Sequence, residues 1–257
     1  MDRLTPRQRQ VLAWLGLPRW VPRQAPAAEA EPTAAPAPAE ATPPPPVADA
    51  APAAGASLAE VVAAAEEVPA LDWPGLHAAI AACERCGLCR GRQRAVPGEG
   101  DRQAELLVVG EAPGAADEQA GRPFAGPSGQ LLERMLAAIG LSREQVWLTN
   151  AVKCRPPEQR RPAAEEVAAC RPWLQRELAL VAPRAVLLLG GVAAQSLLAR
   201  DDPVSELRGR QRLPGDGAPP AVVSWHPAYL LRRPAEKRGA WADLKQVMEL
   251  LRDERRP

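Results

Sequence analysis

The segment ELLVVGEAPG, residues 105–114, decides the fold, because it joins a continuous apolar run to a turn of Gly, Glu and Pro. The apolar run, Leu106–Val109, is typical of a strand that is buried on both faces of a sheet. Such a strand belongs to a parallel sheet that lies between two helical layers. The turn places one carboxylate, Glu111, at the carboxyl end of the strand, which is where ligands bind in open parallel sheets.

The rest of the chain alternates between apolar runs and helical periodicity. Further strands are predicted at residues 146–152, 185–189 and 222–225. Helices are predicted at residues 58–67, 73–83, 129–139, 164–180, 192–198 and 241–251. This alternation predicts an α/β fold, a three-layer αβα sandwich around a central, mostly parallel four-stranded sheet.

The first 56 residues differ from the rest in composition. Residues 1–23 carry five Arg and one Asp, and a short amphipathic helix there is predicted from an apolar stripe of Leu4, Val11, Leu12, Leu15 and Trp20. Residues 24–56 are rich in Ala and Pro, have acidic side chains and contain no Lys or Arg, which predicts a disordered linker. The folded domain is therefore expected over residues 57–257.

Composition also restricts the class of protein. No apolar run is long enough to span a membrane, and the N-terminus lacks the apolar stretch of a signal peptide, so a cytoplasmic protein is expected. The odd number of cysteines, five, argues against a secreted disulfide framework. Residues 85–257 have a net charge of +6, which permits binding to nucleic acid without requiring it.

The cysteines form a pattern of their own. Cys83, Cys86 and Cys89 follow the spacing C-x-x-C-x-x-C, and Cys154 and Cys170 come much later in the chain. A close pair that meets two distant cysteines is what a four-thiolate site needs, which would leave one cysteine spare. Spacing alone does not separate zinc from a [4Fe–4S] cluster, and unconnected buried cysteines are the simpler alternative.

Three more residues mark the ends of strands or the loops beside them. Phe124 lies among turn residues, where it would stack on a planar base or plug a loop. Asn150 ends a strand with an amide that suits the edge of a pyrimidine, although such residues are usually structural. His226 follows another strand, where it would either donate to an oxygen that gains charge or begin a helix.

Taken together, the chain resembles the family 4 uracil-DNA glycosylases, the iron–sulfur type of bacteria and archaea. The resemblance covers Cys83 to Leu251 and rests on four motifs, GEAPG at 110–114, GRPF at 121–124, NAVKCRPP at 150–157 and HPAYLLR at 226–232. It implies an enzyme, working as a monomer, that flips deoxyuridine out of single- or double-stranded DNA and hydrolyses its N-glycosidic bond. Uracil would be released and an abasic site left.

The resemblance also implies roles for individual residues. A [4Fe–4S] cluster would be held by Cys83, Cys86, Cys154 and Cys170, with Cys89 spare. The uracil pocket would be lined by Glu111, Ala112, Pro113, Phe124, Asn150 and His226. His226 would stabilise the departing uracil anion. Ala112 stands where other uracil glycosylases carry a water-orienting Asp, so Glu111 becomes the strongest candidate for that role, ahead of Asp117 and Glu118.

Contacts to DNA are expected from the loops. Contacts to the DNA backbone are expected from Arg155, Arg160 and Arg161, and a contact to a phosphate from Arg232. Insertion between the bases of the duplex, as a wedge, is expected from Leu230 and Leu231. No Lys is placed to form a Schiff base, so no lyase step is expected.

Two rival functions are a uracil-DNA binding protein that traps its product covalently through a His-bearing insertion, and a non-catalytic polymerase-associated scaffold. Residues 155–169 contain no His, which argues against the first, and the intact pocket residues argue against the second. Residues 1–23 would dock a repair or replication protein, and the linker would raise its local concentration.

Overall fold

The computed structural model describes residues 70–253. Three predictions fall outside these residues: the amphipathic segment at 1–23, the linker at 24–56 and the helix at 58–67. In the described part, no helix has the length and apolar character that a membrane span requires.

A single sheet of six strands forms the centre. The strands are β1 (Glu99–Gly100), β2 (Leu106–Gly110), β3 (Trp147–Asn150), β4 (Ala185–Leu189), β5 (Gly209–Arg212) and β6 (Pro220–Ser224). Their order across the sheet is β1-β3-β2-β4-β6-β5. The four inner strands are parallel to one another, and the two edge strands are antiparallel to their neighbours.

Helices cover both faces. They are α1 (Trp73–Ala81), α2 (Ala115–Ala120), α3 (Pro127–Ala138), α4 (Ala164–Val181), α5 (Gly191–Leu198), α6 (Val204–Leu207), α7 (Pro227–Arg232) and α8 (Lys237–Asp253). Short 3₁₀ turns lie at Gly87–Arg90, Arg143–Gln145, Pro157–Gln159 and Pro234–Glu236.

Strand β2 shows why the sheet lies in the middle. Successive side chains of a strand point to opposite faces. Leu107 and Val109 pack with α1, α4 and α5, whereas Leu106 and Val108 pack with α3, α7 and α8. All four side chains are buried, so the strand requires a helical layer on each side. The predicted αβα sandwich is therefore confirmed.

The sheet has six strands where four are predicted, because elements with weak apolar patterns are not apparent in the sequence. The four inner strands are those predicted, but β1 has two residues and β5 reads GRQR, so neither carries an apolar run. Two inner strands differ from their predicted bounds. Strand β3 ends at Asn150 and not at residue 152, and β6 covers Pro220–Ser224 and not residues 222–225. Helices α2 and α7 each have six residues, too few to show helical periodicity.

A buried ion pair ties β3 to α4. Lys153 Nζ lies 2.7 Å from Glu177 Oε2 and also donates to Thr149 Oγ1 at 2.6 Å and to the Asn150 carbonyl at 2.9 Å. The second oxygen, Glu177 Oε1, accepts from the Gly98 amide at 3.0 Å. The side chains are 2% and 0% exposed, so each charge depends on its partner.

We predict that Lys153→Met strongly destabilises the fold. It leaves the Glu177 charge buried without its partner, at a cost of about 3–5 kcal/mol. For a domain of this size, that cost corresponds to a melting temperature lower by roughly 10 °C in a thermal scan.

The matched control is Arg210→Met. Arg210 pairs with Glu249 at 2.6 Å, but the two side chains are 46% and 59% exposed, so its loss should change the melting temperature little. Equal melting temperatures for the two variants would contradict the role given to the buried pair.

Candidate active site

The carboxyl ends of β2 and β3 lie side by side, and Gly110 pairs with Asn150 in the register of the sheet. A Cβ on Gly110 would lie 2.3 Å from Asn150 Oδ1 and 2.6 Å from Phe124 Cζ. Both distances are far below van der Waals contact, so only glycine allows the amide and the ring to approach together. Gly110 is thus the point where two of the predicted pocket residues meet.

Asn150 has a side-chain donor with no hydrogen-bond partner in the described part of the chain. Its side chain is buried, 2% exposed, and Nδ2 makes no hydrogen bond within residues 70–253. A buried unsatisfied donor costs about 1–3 kcal/mol. Such a group is expected where a ligand supplies the missing acceptor.

His226 lies close to Phe124. The ring centroids are 6.0 Å apart and the planes differ by 24°. His226 immediately precedes α7 and Phe124 precedes α3, so the loops of two distant strands meet here. The side chains of Phe124, Asn150 and His226 therefore converge at the carboxyl ends of the parallel strands.

The hydrogen bond of His226 fixes which nitrogen carries the proton. Nδ1 accepts from the Ala228 amide at 3.2 Å, so in the neutral ring the hydrogen is on Nε2. Burial lowers the pKa of His226 from its ordinary value of 6.5, and the charge of Arg232 lowers it further, whereas the carboxylates of Glu111 and Asp117 act to raise it. The ring is therefore a neutral donor at neutral pH.

Glu111 also lies at the carboxyl ends of the strands, directly after β2. Its carboxylate lies against Gly190, where a Cβ would be only 2.3 Å from Oε1. Ala112 is partly buried against the core and Pro113 is buried. The amide of Val152 donates to the Glu111 carbonyl at 3.1 Å, so the turn after β2 stays attached to the segment after β3.

The other two acidic candidates already have structural partners. Asp117 accepts from the amides of Gly114 and Ala125, at 3.0 and 2.7 Å, and so joins the loop after β2 to the loop of Phe124. Glu118 accepts from the Gln93 amide and from Arg155. Both carboxylates are buried, and both are used in contacts within the protein.

All five cysteines line one cavity, and all are free thiols. Around this cavity, the three closely spaced cysteines lie beside Cys154 and Cys170, as the spacing predicts. Cys89 is one of the three, although it is not among the four ligands that the family resemblance implies. Within residues 70–253, no three Cys, His, Asp or Glu side chains come together closely enough to hold a single metal ion.

Three N–H groups point at the cysteine sulfurs. Arg92 Nη1 donates to Cys154 Sγ at 3.0 Å, Trp173 Nε1 donates to Cys83 Sγ at 3.3 Å, and the Lys153 amide donates to Cys170 Sγ at 3.2 Å. Donors aimed at sulfur stabilise thiolates over thiols. These residues therefore fit a group that is held by several thiolates.

Without such a group, protonated thiols are favoured. Burial raises the pKa of Cys86, Cys154 and Cys170, to about 12 for Cys170. Metal binding requires deprotonated thiols and stabilises them directly, so a bound cation would offset the effect of burial.

The arginine candidates differ in their surroundings. Arg155 pairs with Glu118 at 2.8 Å, and Arg160 donates to both oxygens of Glu166, at 2.8 and 2.6 Å. Arg161 reaches the start of α5, where Nη2 would lie 3.5 Å from a Cβ on Gly191. Arg161 therefore lies near Gly191, the residue after the Gly190 that contacts the Glu111 carboxylate.

Only one of the two adjacent leucines is exposed. Leu230 is 1% exposed and packs in the core with α3 and α8, so its prediction as a wedge is wrong. Leu231 is 45% exposed, and Arg232 beside it is also exposed. The sequence alone does not show which leucine faces the core, because a six-residue helix has no clear periodicity.

The geometry can be compared with known proteins. A family model for the uracil DNA glycosylase superfamily matches residues 97–245. A type-4 uracil-DNA glycosylase of Pyrobaculum aerophilum is 40% identical over 172 residues, which are 64% of this chain and 87% of that protein. Another, from Archaeoglobus fulgidus, is 39% identical over 177 residues, or 66% of this chain and 89% of its own length.

A type-5 uracil-DNA glycosylase of Pyrobaculum aerophilum is 42% identical over only 120 residues, 41% of this chain and 53% of that protein. The similarity thus extends over most of the type-4 relatives and over about half of the type-5 relative.

We predict that His226 stays neutral down to a pH below 6.5. In ¹⁵N NMR of histidine-labelled protein, its ring should titrate below 6.5 and show the tautomer that is protonated at Nε2. The chain has two histidines, so a His77→Gln variant assigns the signals. A midpoint at or above 6.5, or a proton on Nδ1, would contradict the assignment of His226 as a neutral donor.

Proposed function

The chain belongs to the uracil-DNA glycosylase superfamily, to its type-4 members, and we propose that it hydrolyses the N-glycosidic bond of a flipped-out deoxyuridine in DNA. The observation that carries this proposal is the buried Nδ2 donor of Asn150, at the edge where Phe124 and His226 meet, which has no partner among the residues that the structure describes.

Asn150 would select the base. Uracil presents the O4 acceptor where cytosine presents an amino group, so Nδ2 finds a partner only on uracil. A site with a buried donor rejects a base that leaves the donor unpaired, since the lost hydrogen bond is not replaced by water. Phe124 would stack on the ring, and the Glu111–Pro113 turn would close the pocket beside it.

His226 would stabilise the leaving group. When the glycosidic bond breaks, its electron pair passes to the uracil ring and the sugar becomes an oxocarbenium-like cation. The neutral Nε2–H donates to the oxygen that gains negative charge, without a proton having to be transferred. A preorganised donor of this kind is worth about 3–4 kcal/mol in the transition state.

Glu111 would act on the other side of the bond. Its carboxylate favours the positive charge on the sugar and would orient a water molecule for attack on the anomeric carbon. The water proton passes to the carboxylate and then to solvent, which leaves an abasic site and free uracil. Lys153 takes no part, because Glu177, Thr149 and the Asn150 carbonyl hold its amine, which agrees with a glycosylase that has no lyase step.

The loops would open the duplex. Extruding a nucleotide costs a few kcal/mol and costs least for a mismatched or unpaired base, so U·G and single-stranded U should be preferred. The exposed Leu231 would fill the space that the base leaves, and Arg161 and Arg232 would contact phosphates. Arg155 and Arg160 would support this surface through their ion pairs.

The cysteine cavity would hold a [4Fe–4S] cluster on Cys83, Cys86, Cys154 and Cys170. When bound, the cluster supplies thiolate–iron bonds that join the segment after α1, the segment after β3 and helix α4. Arg92, Trp173 and the Lys153 amide would stabilise the thiolates by the hydrogen bonds described above. The role is structural, because the cavity is lined by residues other than those that meet at Gly110.

The domain organisation predicted from the sequence is retained as part of this proposal. Residues 57–257 would form the catalytic domain of a cytoplasmic, monomeric enzyme. Residues 1–23 would bind a repair or replication protein through the tether at 24–56.

We predict that Asn150→Asp lowers the preference for uracil over cytosine by at least about tenfold, because the new oxygen accepts from the cytosine amino group and repels uracil O4. The measurement is base release from oligonucleotides with one U or one C, under single-turnover conditions. An unchanged ratio would contradict the role of Asn150.

Uracil release from the same oligonucleotide, supplied in large excess over wild-type protein, tests the proposed function. A glycosylase releases many equivalents of uracil and leaves alkali-labile abasic sites. Release that stops at one equivalent would indicate the covalently trapping alternative, and no release would indicate a non-catalytic scaffold.

We predict that Cys86→Ser removes most of the iron, whereas Cys89→Ser retains it, because only Cys86 is proposed as a ligand. Iron and zinc content and visible absorption are measured on protein purified without air, with about four iron atoms expected per wild-type chain. Loss of iron in Cys89→Ser with retention in Cys86→Ser would exchange the two assignments. Zinc in place of iron would overturn the cluster.

A further inference from the structure

We propose that Arg143 is a positioning residue for the reaction, because it holds the backbone of Phe124 in the conformation that directs the ring into the base pocket. This inference rests on the proposed function. It concerns a residue outside the four motifs that suggest the family.

The backbone of Phe124 is unusual. Its φ angle is +55°, in the left-handed region that residues with a side chain rarely occupy. The ring is nevertheless buried, 3% exposed, and lies against Gly110 and near His226. A conformation of this kind persists only where the surroundings determine it, and it often occurs at functional sites.

Arg143 binds the peptide groups on both sides of Phe124. Nη2 donates to the Pro123 carbonyl at 2.5 Å, and Nη1 donates to the Phe124 carbonyl at 3.2 Å. The first carbonyl belongs to the peptide that sets φ of Phe124, and the second belongs to the peptide that sets ψ. One guanidinium therefore restrains both backbone angles of the stacking residue.

The second peptide is also held from its opposite edge. The Ala125 amide donates to Asp117 at 2.7 Å, while the carbonyl of the same peptide faces Arg143. Gly129 makes room for that carbonyl, since a Cβ there would lie 1.7 Å from the Phe124 oxygen. The peptide after Phe124 thus has a partner on each side and little freedom to rotate.

Arg143 itself is anchored. Its side chain is 12% exposed, Nε donates to Glu99 Oε1 at 3.0 Å, and Nη2 also contacts this oxygen. Glu99 belongs to β1, which pairs with β3, and Arg143 lies just before β3. The strand that ends in Asn150 therefore begins beside the residue that fixes Phe124, so stacking and base reading share one support.

Only arginine suits this arrangement. The planar guanidinium presents several N–H groups in a fixed fork and can bind two carbonyls and a carboxylate at once. A lysine keeps the charge for Glu99, but its single ammonium group is a point charge and does not hold both carbonyls. Arg143→Lys thus removes the contacts to the two carbonyls while it keeps the ion pair with Glu99.

The test is a double-mutant cycle of Arg143→Lys with Phe124→Leu. Single-turnover rates of uracil release are measured for the wild type, both single variants and the double variant, together with melting temperatures. If Arg143 acts through the ring, Arg143→Lys should slow release by at least about tenfold in the wild-type background and by less than about threefold when Phe124 is already replaced.

An equal fold-loss in the two backgrounds would overturn the proposal, because a purely structural contribution does not depend on the ring. The matched control is Arg210→Lys, which should leave the rate unchanged. Arg210 also forms an ion pair, but it lies on β5, the edge strand on the other side of the sheet from β1. Should Arg143→Lys not fold, Glu99→Gln loosens the anchor while keeping the arginine. The smaller reduction of the release rate in Glu99→Gln should likewise disappear when Phe124→Leu is added. A reduction that persists in that background would overturn the proposal.

These outcomes are distinguishable from failure of the proposed function. If the wild type releases no uracil, the function itself is refuted. If the wild type is active and the cycle is additive, only the role of Arg143 is refuted.

Discussion

The parallel register of β2 and β3 is the constraint on which the rest of the site depends. It sets Gly110 opposite Asn150, and the missing side chain of Gly110 lets Phe124 approach the same point. A shift of one residue would turn every side chain of the strand to the other face of the sheet. Because both faces are covered by helices, such a shift is strongly opposed, and the position of Asn150 follows from the packing of the core.

The site and the cysteine cavity are connected through Lys153. Its amide donates to Cys170, while its side chain donates to the carbonyl of Asn150 and pairs with Glu177. A single buried residue thus contacts both a thiol of the cysteine cavity and the strand that ends in Asn150. This connection explains in physical terms how thiolate–iron bonds would stabilise the pocket without contributing to the chemistry.

Much of the site could be predicted from the sequence because its residues follow apolar runs that mark strands. Asn150, Glu111 and His226 each lie at or just after such a run, so the topology of a parallel sheet brings them to one edge. The sequence could not give the phase of the short helix α7, so it did not separate the buried Leu230 from the exposed Leu231. Nor could it give the partners of Asp117 and Arg143, since these side chains bind backbone groups whose positions depend on the folded loops.

The central claim is that one flipped uracil is enclosed by segments of the chain that are far apart in sequence. The most direct measurement is a crystal structure with DNA that contains 2′-fluoro-deoxyuridine, whose glycosidic bond resists cleavage. We expect Asn150 Nδ2 to lie within hydrogen-bond distance of uracil O4, the Phe124 ring to stack on the base, and His226 Nε2 to face O2. A base that remains in the duplex, or lies in the protein away from Asn150, would contradict this arrangement.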